Sequence, residues 1–363
     1  MRSLSSHSFG AASIVATVFL WAAAPTLAQS TPRTIETTAG QDWKHVQTGV
    51  IIPAKLSGFD REYVRDLTDK ELDVIAQYYS DESRTRLTLF LYRAALDSVP
   101  LWFDTADISL RKNTSFVPGT TEFVSSTFTP PGQSRASGMM TVYASSGGDF
   151  KATGIAMMPL NGWLAKVRFT SSELTALEMA AALQPILAAV TWPENILSGP
   201  VAVPVQPCKN KLKLTEKVKR IKPTMADALI GGLLGVAAET DGTIVENEAI
   251  VYCRDPQDFG QFSAYRANGS KNGYILPLGD AGRALSISQN EAGGLIGGSK
   301  GKRYTPMNMQ LDQTIIYPDL NKLPTPRLLL AATGDDAAIS STTTWPEGDT
   351  TINIGISEEN EDR

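Results

Sequence analysis

The chain has 363 residues, with 33 lysines and arginines, 38 aspartates and glutamates and a formal net charge of −5. It is too long for one ordinary domain and too acidic for nucleic acid as a general partner, which calls for a dense positive surface. Two cysteines and two histidines leave little for thiol, imidazole or metal chemistry, and no cofactor or metal is expected.

At the N-terminus, Arg2 precedes an apolar run from Ala11 to Ala24, then Pro25 and the small-residue site Thr26-Leu27-Ala28. This is the layout of a secretory signal peptide over residues 1–28, cut after Ala28. A retained anchor would need about 20 apolar residues without a breaker. The expected location is therefore periplasmic or extracellular. Removing residues 1–28 takes away one arginine and no acid, so the charge moves from −5 to −6 and His45 becomes the sole histidine. No later apolar run is long enough for a transmembrane segment.

From residue 41 to 192 strand and helix patterns mix. In "RTRLTLFLYR", Leu87, Leu89 and Leu91 alternate with Arg86, Thr88, Phe90 and Tyr92, a half-buried strand. "SVPLWFDTADISLRKN" has apolar residues at helical spacing. "GMMTVYAS", "DFKATGIAMM" and "GWLAKVRFT" follow as strands, separated by Ser145-Ser146-Gly147-Gly148 and Leu160-Asn161-Gly162. "SSELTALEMAAALQPILAAV" predicts a helix capped by Ser171 or Ser172, kinked or broken at Pro185. The expected fold class is α+β, an antiparallel sheet with two helices. This order resembles the PsbP-like group of small α+β domains, over residues 41–192 and in architecture alone. The resemblance implies a binding or assembly domain without its own catalytic centre.

Pro193, Pro200, Pro204 and Pro207 make residues 193–207 an extended linker between two domains. Residues 208–356 predict a β-rich domain with one helix, "MADALIGGLLGVAAE", capped by Thr224 with Asp227. Strands are expected at "EAIVYC", "FSAYRA", "RALSIS", "YTPMNMQ" and "PRLLLAA", with turns at the Asn-Gly pairs 268 and 272 and at "GDAG". The apolar "ALIGGLLGVAA" reads as a buried helix whose glycines permit close packing. Residues 357–363 form an acidic tail.

Among features that could carry chemistry, "GGLIGGSKGKR" draws attention first. It fails as a phosphate loop, since Ile296 stands where the first glycine belongs and Arg303 where the hydroxyl belongs. Ser299 matches G-x-S-x-G and S-x-x-K, yet no histidine follows it and the partner motifs are missing or out of order. A mobile glycine loop is the preferred reading. "AETDGTIVENE" approaches a calcium loop but has Ala237 at the first ligand position. Cys208 and Cys253, 45 residues apart, are expected to form a disulfide in an oxidising compartment, with two free thiols as the alternative.

The most unusual stretch is "KNKLKLTEKVKRIK", residues 209–222, with seven basic residues and one acid. As a strand it places Lys211, Lys213, Lys217 and Lys219 on one face and Leu212, Leu214 and Val218 on the other. The plainer reading, preferred on the letters, is an edge strand kept soluble by lysines or neutralised by the chain's own acids. The other is a surface for an anionic envelope component or an acidic protein. The leading functional expectation is an exported, non-catalytic binding, scaffolding or envelope-associated protein. The alternative is a carboxylate-based or serine hydrolase acting on envelope or glycan material.

Overall fold

Alternating burial along the strands accounts for most of the architecture. The computed structural model describes residues 32–112, 118–240, 250–290, 301–334, 338–346 and 351–355. The predicted leader over residues 1–28, Ser299 with residues 291–300, the calcium-like stretch 241–248 and the predicted acidic tail lie outside them.

The first half runs β1 (Arg33–Ile35), β2 (Trp43–Lys44), β3 (Ile51–Ile52), β4 (Lys55–Leu56), β5 (Phe59–Asp66), β6 (Asp73–Ser80), β7 (Thr85–Arg93), α1 (Val99–Arg111), β8 (Pro118–Phe128), β9 (Gly138–Ser145), β10 (Ala152–Leu160), β11 (Trp163–Ser171) and α2 (Ala176–Ala189). Its main sheet has the order β1-β5-β6-β7-β11-β10-β9-β8, antiparallel throughout, with β4 beside β5. The second half runs β12 (Gln206–Pro207), α3 (Met225–Thr240), β13 (Tyr252–Arg254), β14 (Tyr265–Ala267), β15 (Gly273–Pro277), β16 (Ala284–Gln289), β17 (Tyr304–Met309), β18 (Gln313–Ile316), α4 (Pro326–Ala332), β19 (Ser340–Thr343) and β20 (Ile352–Ile354). These strands form one sheet in sequence order, parallel only at β12–β13.

The α+β expectation is overturned. The protein is mostly β, with 39% strand, 15% helix and four helices among the described residues. The sequence pattern does not reveal several of the strands, among them β5 and β6, which carry charged and aromatic side chains on their outer faces that blur the alternation. Conversely "PRLLLAA" is α4, because a short apolar run has no period to separate helix from strand, and Pro326 in the first turn favours helix. Among its described residues the second half therefore holds two helices, not one. The helix α2 is capped by Thr175, whose hydroxyl and the Glu178 carboxylate make a reciprocal capping box, and it continues through Pro185 without breaking.

A split into two domains is not shown either. One face of the first sheet packs Leu87, Leu89, Leu91, Val167 and Phe169 against α2. The opposite face joins α1 to the second half in a single cluster that includes Tyr92, Trp102, Leu164, Tyr252, Tyr265 and Ala284. Trp102 is fully buried there, its indole N–H donating to Leu96 O at 2.8 Å. Covering both faces explains why Lys166, on the opposite side of β11 from Ala165 and Val167, is only 3% exposed.

The turn 278–283 docks on the first sheet. Gly282 has φ +84, and a Cβ there would lie 2.9 Å from Ala94 Cα, while its carbonyl accepts from Ala95 N at 2.9 Å. Beside it, Lys166 Nζ meets Asp280 Oδ2 at 2.9 Å and Arg283 Nη1 approaches Asp73 Oδ2 at 3.6 Å. Burial pushes the Asp73 carboxyl up to about 6, against the pull of Arg283 and Lys166 and with the help of Asp280. In the unfolded chain this proton leaves near pH 4, so the group lowers stability as pH rises from about 4 through 6 and costs nothing at lower pH. Asp73→Asn should therefore stabilise the protein by up to about 3 kcal/mol near pH 7.5, with the gain closing towards pH 4 in urea titrations. A gain that did not vary with pH would contradict this assignment.

Candidate functional site: a lysine segment beside a groove

Residues 208–222 are held in place at both ends. The disulfide Cys208–Cys253 is present, and Cys208 N donates to Arg254 O at 2.8 Å. Next along the chain, the buried Asp255 carboxylate accepts from Leu212 N at 2.9 Å and from Arg266 Nη1 at 3.4 Å. Arg266 also donates to Asn210 O, and Gln257 Nε2 donates to Leu212 O. At the far end Lys219 N donates to Asn321 Oδ1, Asn321 N to Lys219 O, and Ile221 N to Asp319 O at 2.7 Å.

The segment is extended, yet it is not the predicted strand. Its pairing is limited to isolated bridges, Thr215 with Pro324 and Arg220 with Leu320. The neighbouring stretch contains Pro318 and Pro324, which have no N–H to give a ladder. One-sidedness survives without a ladder, because burial alone enforces it. Leu212 is buried, Leu214 and Val218 pack on the same cluster, and Lys211, Lys213, Lys217 and Lys219 are exposed.

Electrostatically the segment is uncompensated. Among the described residues no carboxylate lies within 4 Å of Lys209, Lys211, Lys213, Lys217, Lys219 or Lys222. The acids that touch the segment's backbone or follow it are engaged inward. Asp255 is held by Arg266, while Arg303 binds Asp319 at 2.7 Å and Asp227 at 3.0 Å.

A groove begins where the segment starts. Pro207, Arg254, Asp255, Gln257 and Asp258 line it on one side, and Ile108 and Arg111 of α1 with the following Lys112 on the other, around a volume of about 500 Å³. A second hollow of about 490 Å³ shares Ile108, Lys112 and Ser263 with it and extends to Tyr265 and Asp280. Arg254 Nη1 is clamped by both oxygens of Asp104, at 2.8 and 2.6 Å. The Tyr265 hydroxyl donates to Asp104 at 2.7 Å; burial and that carboxylate hold its pKa far above the usual tyrosine range, so it stays protonated. Such a groove can bind and orient a ligand; Asp104 and Asp255 are engaged by arginines, while Asp258 on its wall is exposed and accepts from Gly260 N at 2.8 Å.

Sequence reasoning missed this groove. Its one legible trace was the polar stripe Thr105, Ser109 and Lys112 at helical spacing on α1. His45, by contrast, is a buried structural residue: its ring nitrogens meet Thr48 Oγ1 at 2.8 Å and Glu71 O at 2.9 Å, and burial lowers its pKa. No group of three or more His, Cys, Asp or Glu side chains that could hold a metal occurs among the described residues. No helix among them is long and apolar enough to cross a membrane. In α3, Gly231 and Gly232 sit against Ile316 and Ile352. Comparison with protein-family models and with curated proteins finds no match for this chain.

Proposed function

We propose that the protein acts outside the cytoplasm as a non-catalytic binding or scaffolding component that meets an anionic partner through the lysine segment. The observation that carries this reading is the set of exposed lysines on a fixed backbone, with no carboxylate within 4 Å among the described residues, while Asp255, Asp227 and Asp319 are held by arginines. A stripe neutralised by its own chain would show the opposite arrangement. The intramolecular disulfide is consistent with an oxidising compartment, and the leader-like residues 1–28 point the same way. The architectural resemblance of residues 41–192 to PsbP-like domains also suggests binding or assembly.

In the test, the native protein is mixed with anionic envelope fragments and recovered by sedimentation. Retention should fall as salt rises, because exposed charges are screened within about 10 Å at 0.1 M salt. It should disappear when Lys211, Lys213, Lys217 and Lys219 are all replaced by glutamine. Retention unchanged by salt and by the four substitutions would remove the lysine segment from the account. Covalent labelling of the folded protein by a fluorophosphonate would overturn its non-catalytic part.

A further inference from the structure

We infer that the groove is the selective half of the same surface, and that the partner is an acidic polysaccharide: the chain lies along the lysines and one uronic-acid ring seats in the groove. This rests on the partner reading above. Three observations support it.

First, groove and segment are physically continuous. Pro207 lines the groove and leads directly into Cys208 and Lys209, and the groove wall residues Asp255 and Gln257 hydrogen-bond Leu212. A linear polymer leaving the groove past Pro207 would run towards Lys209 and Lys211, which follow it in the chain. A flat membrane surface reaches the exposed lysines but does not enter a recess.

Second, the groove carries neutral hydrogen-bonding side chains that nothing in the fold uses. Ser263 lines it and Ser109 and Gln261 line the second hollow that adjoins it, and none of the three makes a side-chain hydrogen bond to another described residue. Hydroxyl and amide groups that both donate and accept match the hydroxyls of a sugar ring. Phe259 and Phe262, half-buried on the wall, provide the apolar surface against which the C–H face of a ring can rest.

Third, the groove offers cationic donors for a carboxylate on that ring. Only Nη1 of Arg254 is clamped by Asp104, so the rest of its guanidinium keeps donors for a ligand. Lys112 reaches Gly260 O at 3.4 Å, a long contact to a neutral carbonyl that a carboxylate would readily displace.

The experiment is fluorescence anisotropy with a labelled oligogalacturonate, run across a salt series on the full chain. The native protein should bind with an affinity that falls with salt. A combined Ser109→Ala, Gln261→Ala, Ser263→Ala variant should lose about tenfold in affinity while keeping the salt slope, because neutral hydrogen bonds are removed. Its denaturation midpoint should match the native one, since these side chains make no hydrogen bond to another described residue. The four-lysine glutamine variant should instead lose both affinity and slope. If the triple variant bound as tightly as the native protein, the groove would have no part in recognition, although the lysine reading would stand. If phosphatidylglycerol vesicles were bound in a lysine-dependent way and the oligogalacturonate were not, the partner would be a lipid surface and the glycan inference would fall alone. If no anionic probe bound at all, both readings would fall.

Discussion

Arg303→Met is expected to lower the unfolding free energy by about 3–5 kcal/mol, because it leaves two carboxylates without their shared cation in a dry site. Arg303 is 4% exposed, and its guanidinium joins Asp319 of the stretch before α4 to Asp227 in the first turn of α3. Thr305 Oγ1 adds a 2.6 Å bond to the other Asp319 oxygen. The same Asp319 presents its backbone carbonyl to Ile221, so the pair anchors the end of the lysine segment as well as the fold. Urea unfolding should show the loss, and Asp319→Asn in the Arg303→Met background should recover part of it. A loss below about 1 kcal/mol would place this ion pair among the surface bridges of small effect.

The other large effect is at the opposite end of the segment. Replacing Cys208 and Cys253 together by serine should cost about 4 kcal/mol, the loop-closure entropy for a loop of this length. Cys208 is 5% exposed and lies one residue from Pro207, so loss of the staple should also loosen the junction between groove and lysines. Reduction by dithiothreitol should reproduce the loss of stability in the native chain. A variant as stable as the native protein would show that the disulfide contributes nothing to the folded arrangement.

How much of this was legible in the letters differs from place to place. The β-strands with clean alternation, such as Leu87, Leu89 and Leu91, were readable because one face meets α2 and the other is only partly apolar. Lys166 was not, because its burial depends on Asp280, 114 residues away, and a long-range ion pair leaves no local pattern. The Asn-Gly pair at 268 is a turn, with φ +48 and +67. The pair at 272 opens β15 instead, since Gly273 is required by its close approach to the Ile287 backbone. Thr224 and Asp227 did mark the start of α3, where each accepts from the other's backbone N–H.

The site shows the same division. The one-sided lysine pattern was visible in sequence, and so was the cysteine pair. The inward engagement of Asp255, Asp319 and Asp227 was invisible, because it depends on Arg266 of β14 and on Arg303, just before β17, arriving from elsewhere in the chain. That engagement is what changes the balance between a solvated stripe and a partner surface. The groove depends on α1 facing a loop some 150 residues later in the chain, as the Arg254–Asp104 pair shows.

The most direct measurement is the salt dependence of binding to one anionic probe, compared between the native chain and the variant with Lys211, Lys213, Lys217 and Lys219 replaced by glutamine. The account predicts a steep fall in affinity with salt for the native chain and a weak, nearly flat line for the variant. Two lines of equal slope would contradict it.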